Sequence, residues 1–121
     1  MLIRVKVVNR GPETARLHFL PTLWLRNTWS WKAAPKPPAQ RATVMRSGTD
    51  TIDAYDDSLG QYRLWLEGGP EQLFTENETN TERFDGTPSG NRKYKDAFHR
   101  CIIGGEKGAV NVGQLGTKSC G

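Results

Sequence analysis

At 121 residues and 13.6 kDa the chain has room for one domain and not for a large enzyme. Apolar residues make up 36% and charged residues 25%, with 17 Lys/Arg against 13 Asp/Glu for a net charge of +4. Apolar runs are far below the ~18–20 residues needed to span a bilayer, which excludes a membrane-spanning segment. Arg4 and Lys6 interrupt the stretch where a secretion signal would need its apolar core. The expected location is therefore cytoplasmic, with Cys101 and Cys120 as reduced thiols.

In residues 2–9, Ile3, Val5 and Val7 alternate with Arg4 and Lys6, which predicts a half-buried strand. Asn9-Gly11-Pro12 marks a turn, and Ala15, Leu17 and Phe19 then alternate with Arg16 and His18 over 13–20. The two segments together predict an antiparallel hairpin. The stretch 23–31 holds three of the four Trp, and the Pro-rich 33–40 predicts an extended loop. Short strands are predicted at 42–46 and 50–55, split by Ser47-Gly48. A stronger one covers 60–67, where Tyr62, Leu64 and Leu66 alternate with polar residues and Trp65, and a further short one covers 72–75.

Residues 76–91 are polar and turn-rich, and predict a long loop. Tyr94, Ala97, Phe98, Cys101 and Ile102 then fall on one face of a helix near 93–103, which Gly104-Gly105 ends. The tail from Ala109 has too little pattern for an assignment. The whole predicts a mainly β fold: antiparallel, β-sandwich-like sheets with one short helix, as a single domain over 1–121.

Charge is segregated along the chain. The first 46 residues hold nine Lys/Arg and one acid, the next 40 hold two and ten, and the remainder hold six and two. Such opposed blocks can neutralise one another within the fold or pair one copy with the next. They argue against nucleic acid as a partner, because a nucleic-acid domain clusters its basic residues without a competing acidic block. His18, His99, Cys101 and Cys120 lack the spacing of a metal site. No cofactor motif or nucleophile elbow occurs, and the glycines at 104, 105 and 108 follow a helix instead of opening one.

Two patterns bear on function. Carboxylates at Asp50, Asp53, Asp56, Asp57, Glu76, Glu78 and Glu82 could supply a glycosidase acid–base pair, but acids on turn-rich segments are usually solvated. Trp24, Trp29 and Trp31 beside Arg26 and Asn27 combine flat apolar faces with hydrogen-bonding groups, which suits a sugar. The alternative is that these tryptophans are core.

Five strings, VKVVNRGPETARLHFLPTLWLRNTWSW, LGQYRLWLEG, LFTENETNTERFDG, YKDAFHRCIIGGE and AVNVGQLGTK, resemble in this order the N-terminal region of large bacterial glycoside hydrolase family 63-like proteins, the mannosyl-oligosaccharide glucosidase relatives. The resemblance implies a β-sandwich that precedes a catalytic helical barrel, and the barrel, which carries the acid and base, has no counterpart here. No catalytic residue is carried over. It also implies a domain with pieces missing at both ends, whose exposed strand edges could be covered by forming a homo-oligomer. The expectation is a non-catalytic accessory domain with residual carbohydrate binding: Trp29 and Trp31 as stacking platforms, Arg26 and Asn27 as hydroxyl partners, and Glu76, Asn77 and Glu78 as further acceptors. The competing expectations are a small glycoside hydrolase, or a subunit of one, and a pure interaction protein.

Overall fold

The computed structural model describes residues 1–29, 41–87 and 93–121. Over them, short β-branched and apolar runs form seven strands: β1 (Thr22–Trp24), β2 (Thr43–Arg46), β3 (Thr51–Asp56), β4 (Gly60–Trp65), β5 (Leu73–Thr75), β6 (Leu115–Gly116) and β7 (Lys118–Cys120). Two short helices, α1 (Glu82–Asp85) and α2 (Ala97–Ile102), lie between β5 and β6. The strands make two antiparallel sheets, one in the order β1-β7-β5 and one in the order β4-β3-β2-β6. The mainly β, antiparallel fold expected from the sequence is the fold observed.

The β3–β4 hairpin shows how local chemistry sets register. Asp56 Oδ1 accepts from the Ser58 and Leu59 backbone N–H groups at 2.9 and 3.2 Å, and Gly60 takes φ +82. That left-handed position closes a three-residue loop and suits glycine. Register then places Asp53 opposite Arg63, whose guanidinium donates to both carboxylate oxygens at 2.6 and 2.7 Å. The Arg63 guanidinium holds the Asp53 carboxyl below its ordinary range.

Alternation along β5 divides the interior in two. Phe74 points to one side and packs with Val44, Ile52 and Ala54 of the other sheet, joined by Leu23, Leu25, Leu64 and Leu66. This layer holds the sheets together, and burying Phe74 contributes about 2–3 kcal/mol. Leu73 points to the opposite side and packs, with Cys120, against Ala97, Phe98, Ala109 and Val110. The β1-β7-β5 sheet is thus a middle layer, covered by the second sheet on one face and by α2 on the other. That double cover explains why all three residues of β5 are buried although none lies in a long strand.

The helix expected near 93–103 is shorter, Ala97–Ile102, and its expected face packs: Ala97 and Phe98 are buried, Cys101 and Ile102 pack partly against the same cluster, and Tyr94, also buried, precedes the helix. Both thiols are free, and burial pushes the Cys120 thiol up to about 11.

The hairpin expected over residues 2–20 is a correction. Its turn forms, with the Gly11 N–H donating to Asn9 Oδ1 at 2.8 Å and Asn9 Nδ2 donating to the Glu13 carbonyl at 2.7 Å. Its strands do not pair, and Ile3, Val5 and Val7 are 72, 54 and 58% exposed. Alternation specifies an amphipathic extended segment, but a strand also needs a partner edge and an apolar surface to cover. The inter-sheet layer is filled by β2, β3 and β5 residues, so this arm has no seat there. The expected long loop over 76–91 also contains α1, which buries no residue; 88–91 lie outside the described residues.

Candidate functional site

Helix α2 covers part of one face of the β1-β7-β5 sheet. Alpha2 covers the Leu73–Cys120 end. At the other end Trp24 is exposed, and Lys118, its register partner and therefore on the same face, is half-buried. There a cleft of about 780 Å³ opens, lined among others by Trp24, Arg26, Asn27, Trp29, Asn77 and Glu78.

Three features position its walls. The chain leaving β1 keeps a two-residue alternation as far as Thr28, with Leu23 and Leu25 turned to the core and Trp24 and Arg26 exposed. Two asparagines then clamp this segment to the one following β5: Asn27 Nδ2 donates to the Asn77 carbonyl and Asn77 Nδ2 to the Leu25 carbonyl, each at 2.9 Å. On the far side the 76–78 segment pairs with 93–95 through Glu76 N–H to the Lys93 carbonyl and Lys95 N–H to the Glu78 carbonyl, at 2.8 and 3.3 Å. This brings Lys95 to the cleft wall.

Of the seven residues singled out in the sequence, Arg26, Asn27, Trp29, Asn77 and Glu78 meet on this cleft. Trp31 lies outside the described residues. Trp29 is 3% exposed, and its Nε1–H donates to Glu78 Oε1 at 3.3 Å. Its ring is wall, and no face of it is open for stacking. Glu78 Oε1 also accepts from Arg41 Nη1 at 2.8 Å, so this carboxylate joins two elements of the wall. Glu76 points away from the cleft into a scaffold: Asn111 Nδ2 and Thr117 Oγ1 donate to its two oxygens at 3.0 Å each, while Thr117 Oγ1 accepts from the Asn77 N–H at 2.6 Å.

The exposed aromatic face belongs to Trp24, which is 54% exposed. It shares sequence parity with Arg26, a signal present in the alternating string 23–28. Arg41, Thr79, Thr81, Lys95 and Lys118 complete the lining and had no local signal. Lys118 Nζ lies 5.6 Å from the Phe98 ring centre, and burial together with the Lys95 charge lowers its proton affinity. Among the described residues no group of three or more His, Cys, Asp or Glu could hold a metal ion. No described helix is long and apolar enough to cross a membrane.

No family model and no solved structure matches the chain. A curated protein of Saccharomyces cerevisiae, "Uncharacterized protein YMR196W", is similar at 26% identity over 97% of this chain. The chain spans 13% of the length of that relative.

Proposed function

We propose that this chain is a non-catalytic accessory module of a cytoplasmic, glucosidase-like protein, with the Trp24 cleft as a carbohydrate-contacting surface. The observation that carries the reading is the convergence, in one cleft, of an exposed indole face with Arg26, Asn27, Asn77, Glu78 and the Thr79 and Thr81 hydroxyls. A pyranose presents C–H groups on its faces and hydroxyls around its rim, so one aromatic platform inside a polar ring is complementary to it. The resemblance of the five strings to the glucosidase relatives supports the same reading, as does the small share of the yeast protein that the chain spans. The free thiols suit a reducing compartment.

The enzyme alternative asks Glu76 or Glu78 to act as acid or base. Both oxygens of Glu76 accept hydrogen bonds within the scaffold, and Glu78 links Arg41 to Trp29. Those engagements favour a structural role for each. Tryptophan fluorescence of the intact chain, titrated with neutral and acidic gluco-saccharides, tests the reading. A saturable change that Trp24→Ala abolishes supports it, and no change with any saccharide overturns it.

A second reading, self-association, rests on a different surface. Beta4 pairs only with β3 among the described residues and exposes Tyr62 and Trp65, while the arm at 2–9 has apolar side chains and no ladder. The arm carries Arg4 and Lys6, and the loop end of the β3–β4 hairpin carries Asp56 and Asp57, so the arm of one copy suits the edge of a second. Light scattering giving a dimer that Val5→Asp dissociates supports this, and a monomer mass at all concentrations rules it out.

A further inference from the structure

The lining of the Trp24 cleft is unbalanced in charge. Lys95 and Lys118 face it, and among its described lining residues the one carboxylate, that of Glu78, is already bonded to Arg41. Neither Lys95 nor Lys118 forms an ion pair among the described residues. Lys118 is half-buried on β7, the central strand of its sheet, in register with Trp24 on one side and Thr75 on the other. Like charges in a concave site repel each other, and an anion placed between them removes that cost. The Lys95 charge is already felt at Lys118, whose ammonium loses proton affinity through burial and through this neighbour.

We propose that the saccharide taken by this cleft is an acidic one, bearing a carboxylate, phosphate or sulfate that sits between Lys95 and Lys118 while a sugar face lies on Trp24. The inference rests on the carbohydrate reading above and sharpens it. A neutral glucan would use the Trp24 face and the polar rim but would leave the two ammonium groups opposed. An acidic sugar uses both, and the register pairing of Trp24 with Lys118 fixes the platform and the charge as neighbours. The anionic substituent therefore belongs on the residue that stacks, or on the one next to it.

The test is calorimetric and fluorescence titration of the intact chain with glucose 6-phosphate and glucuronate, with glucose and maltotriose as neutral counterparts and inorganic phosphate as the sugar-free anion. The expected result is binding of the acidic sugars about tenfold or more tighter than the neutral ones, weakening as salt is raised. Lys118→Gln is expected to remove most of that preference. Lys95→Gln, at an exposed position that does not threaten folding, is expected to reduce it as well, with both variants checked by circular dichroism. Equal affinity for glucose and glucose 6-phosphate overturns the acidic-sugar proposal and leaves the carbohydrate reading standing. Inorganic phosphate binding as tightly as the sugar phosphate, with no effect of Trp24→Ala, overturns both in favour of a plain anion site. Absence of binding by every probe also overturns both.

Discussion

Glu78 offers the sharpest separation of wall from machinery. Its Oε1 accepts from Arg41 Nη1 at 2.8 Å and from Trp29 Nε1 at 3.3 Å. Glu78→Ala deletes the acceptor of both bonds at once. The indole of a tryptophan only 3% exposed then has an N–H without a partner, which costs about 1–3 kcal/mol. The Arg41–Glu78 ion pair is 27% and 29% exposed on its two sides, so solvent screening holds its own share to about 0.5–1 kcal/mol. Together the loss is about 1.5–4 kcal/mol, or on the order of 10 °C in Tm for a domain of this size. Glu78→Gln keeps an acceptor oxygen and gives up the charge, so it is expected to cost no more than about 1 kcal/mol. Thermal and urea unfolding of the two variants decide the matter. A Glu78→Ala protein as stable as the parent would refute the assignment of Glu78 as the brace between Trp29 and Arg41.

Four further outcomes are expected. Phe74→Ala, which empties the centre of the inter-sheet layer, should cost about 3–5 kcal/mol in urea unfolding. Gly116→Ala places a methyl group against the Thr75 carbonyl oxygen, where β6 passes close to β5, and should cost about 1–3 kcal/mol by the same measurement. Stability should decline with alkali: the Cys120 thiol is raised from 9.0 to about 11, so the folded chain holds a proton that the unfolded chain gives up. That stability is intact below about pH 9 and lost as pH rises through about 11, and Cys120→Ala should flatten the decline. Finally, the purified chain should not turn over aryl glucosides, and turnover abolished by Glu76→Gln or Glu78→Gln would overturn the non-catalytic reading.

The elements that sequence pattern revealed are those whose packing matches their own periodicity. Beta4 is visible because Leu64 turns to the core while Gln61 and Arg63 are exposed. Alpha2 is visible because Ala97 and Cys101, and Phe98 and Ile102, repeat at helical spacing against one surface. Beta7 was not legible. Its buried residues are Ser119 and Cys120, and a stretch so poor in β-branched residues shows no strand signature, although it is the central strand of its sheet. The arm at 2–9 failed in the opposite sense: the strand pattern is present, and the partner edge that would make it a strand is not among the described residues.

The cleft was legible by composition more than by geometry. Tryptophan beside Arg26 and Asn27 points to a segment that lines the cleft, but only the clamp between Asn27 and Asn77 shows that residues 50 apart share a wall. Composition alone offers Trp29 for stacking, whereas the open face is that of Trp24, since burial depends on which side the sheet turns to the core. Lys95 and Lys118 come from α2's approach and from β7, neither of which marks a site in the chain order.

The most direct test of the saccharide cleft is a nitrogen-edited NMR titration of the intact chain with acidic and neutral gluco-saccharides. The expected shifts gather at the Trp24 indole N–H and at the backbone N–H groups of Asn77, Thr79, Lys95 and Lys118. Shifts gathered instead on the outer face of the second sheet, around Met45, Tyr55 and Arg63, or no shift with any saccharide, would contradict it.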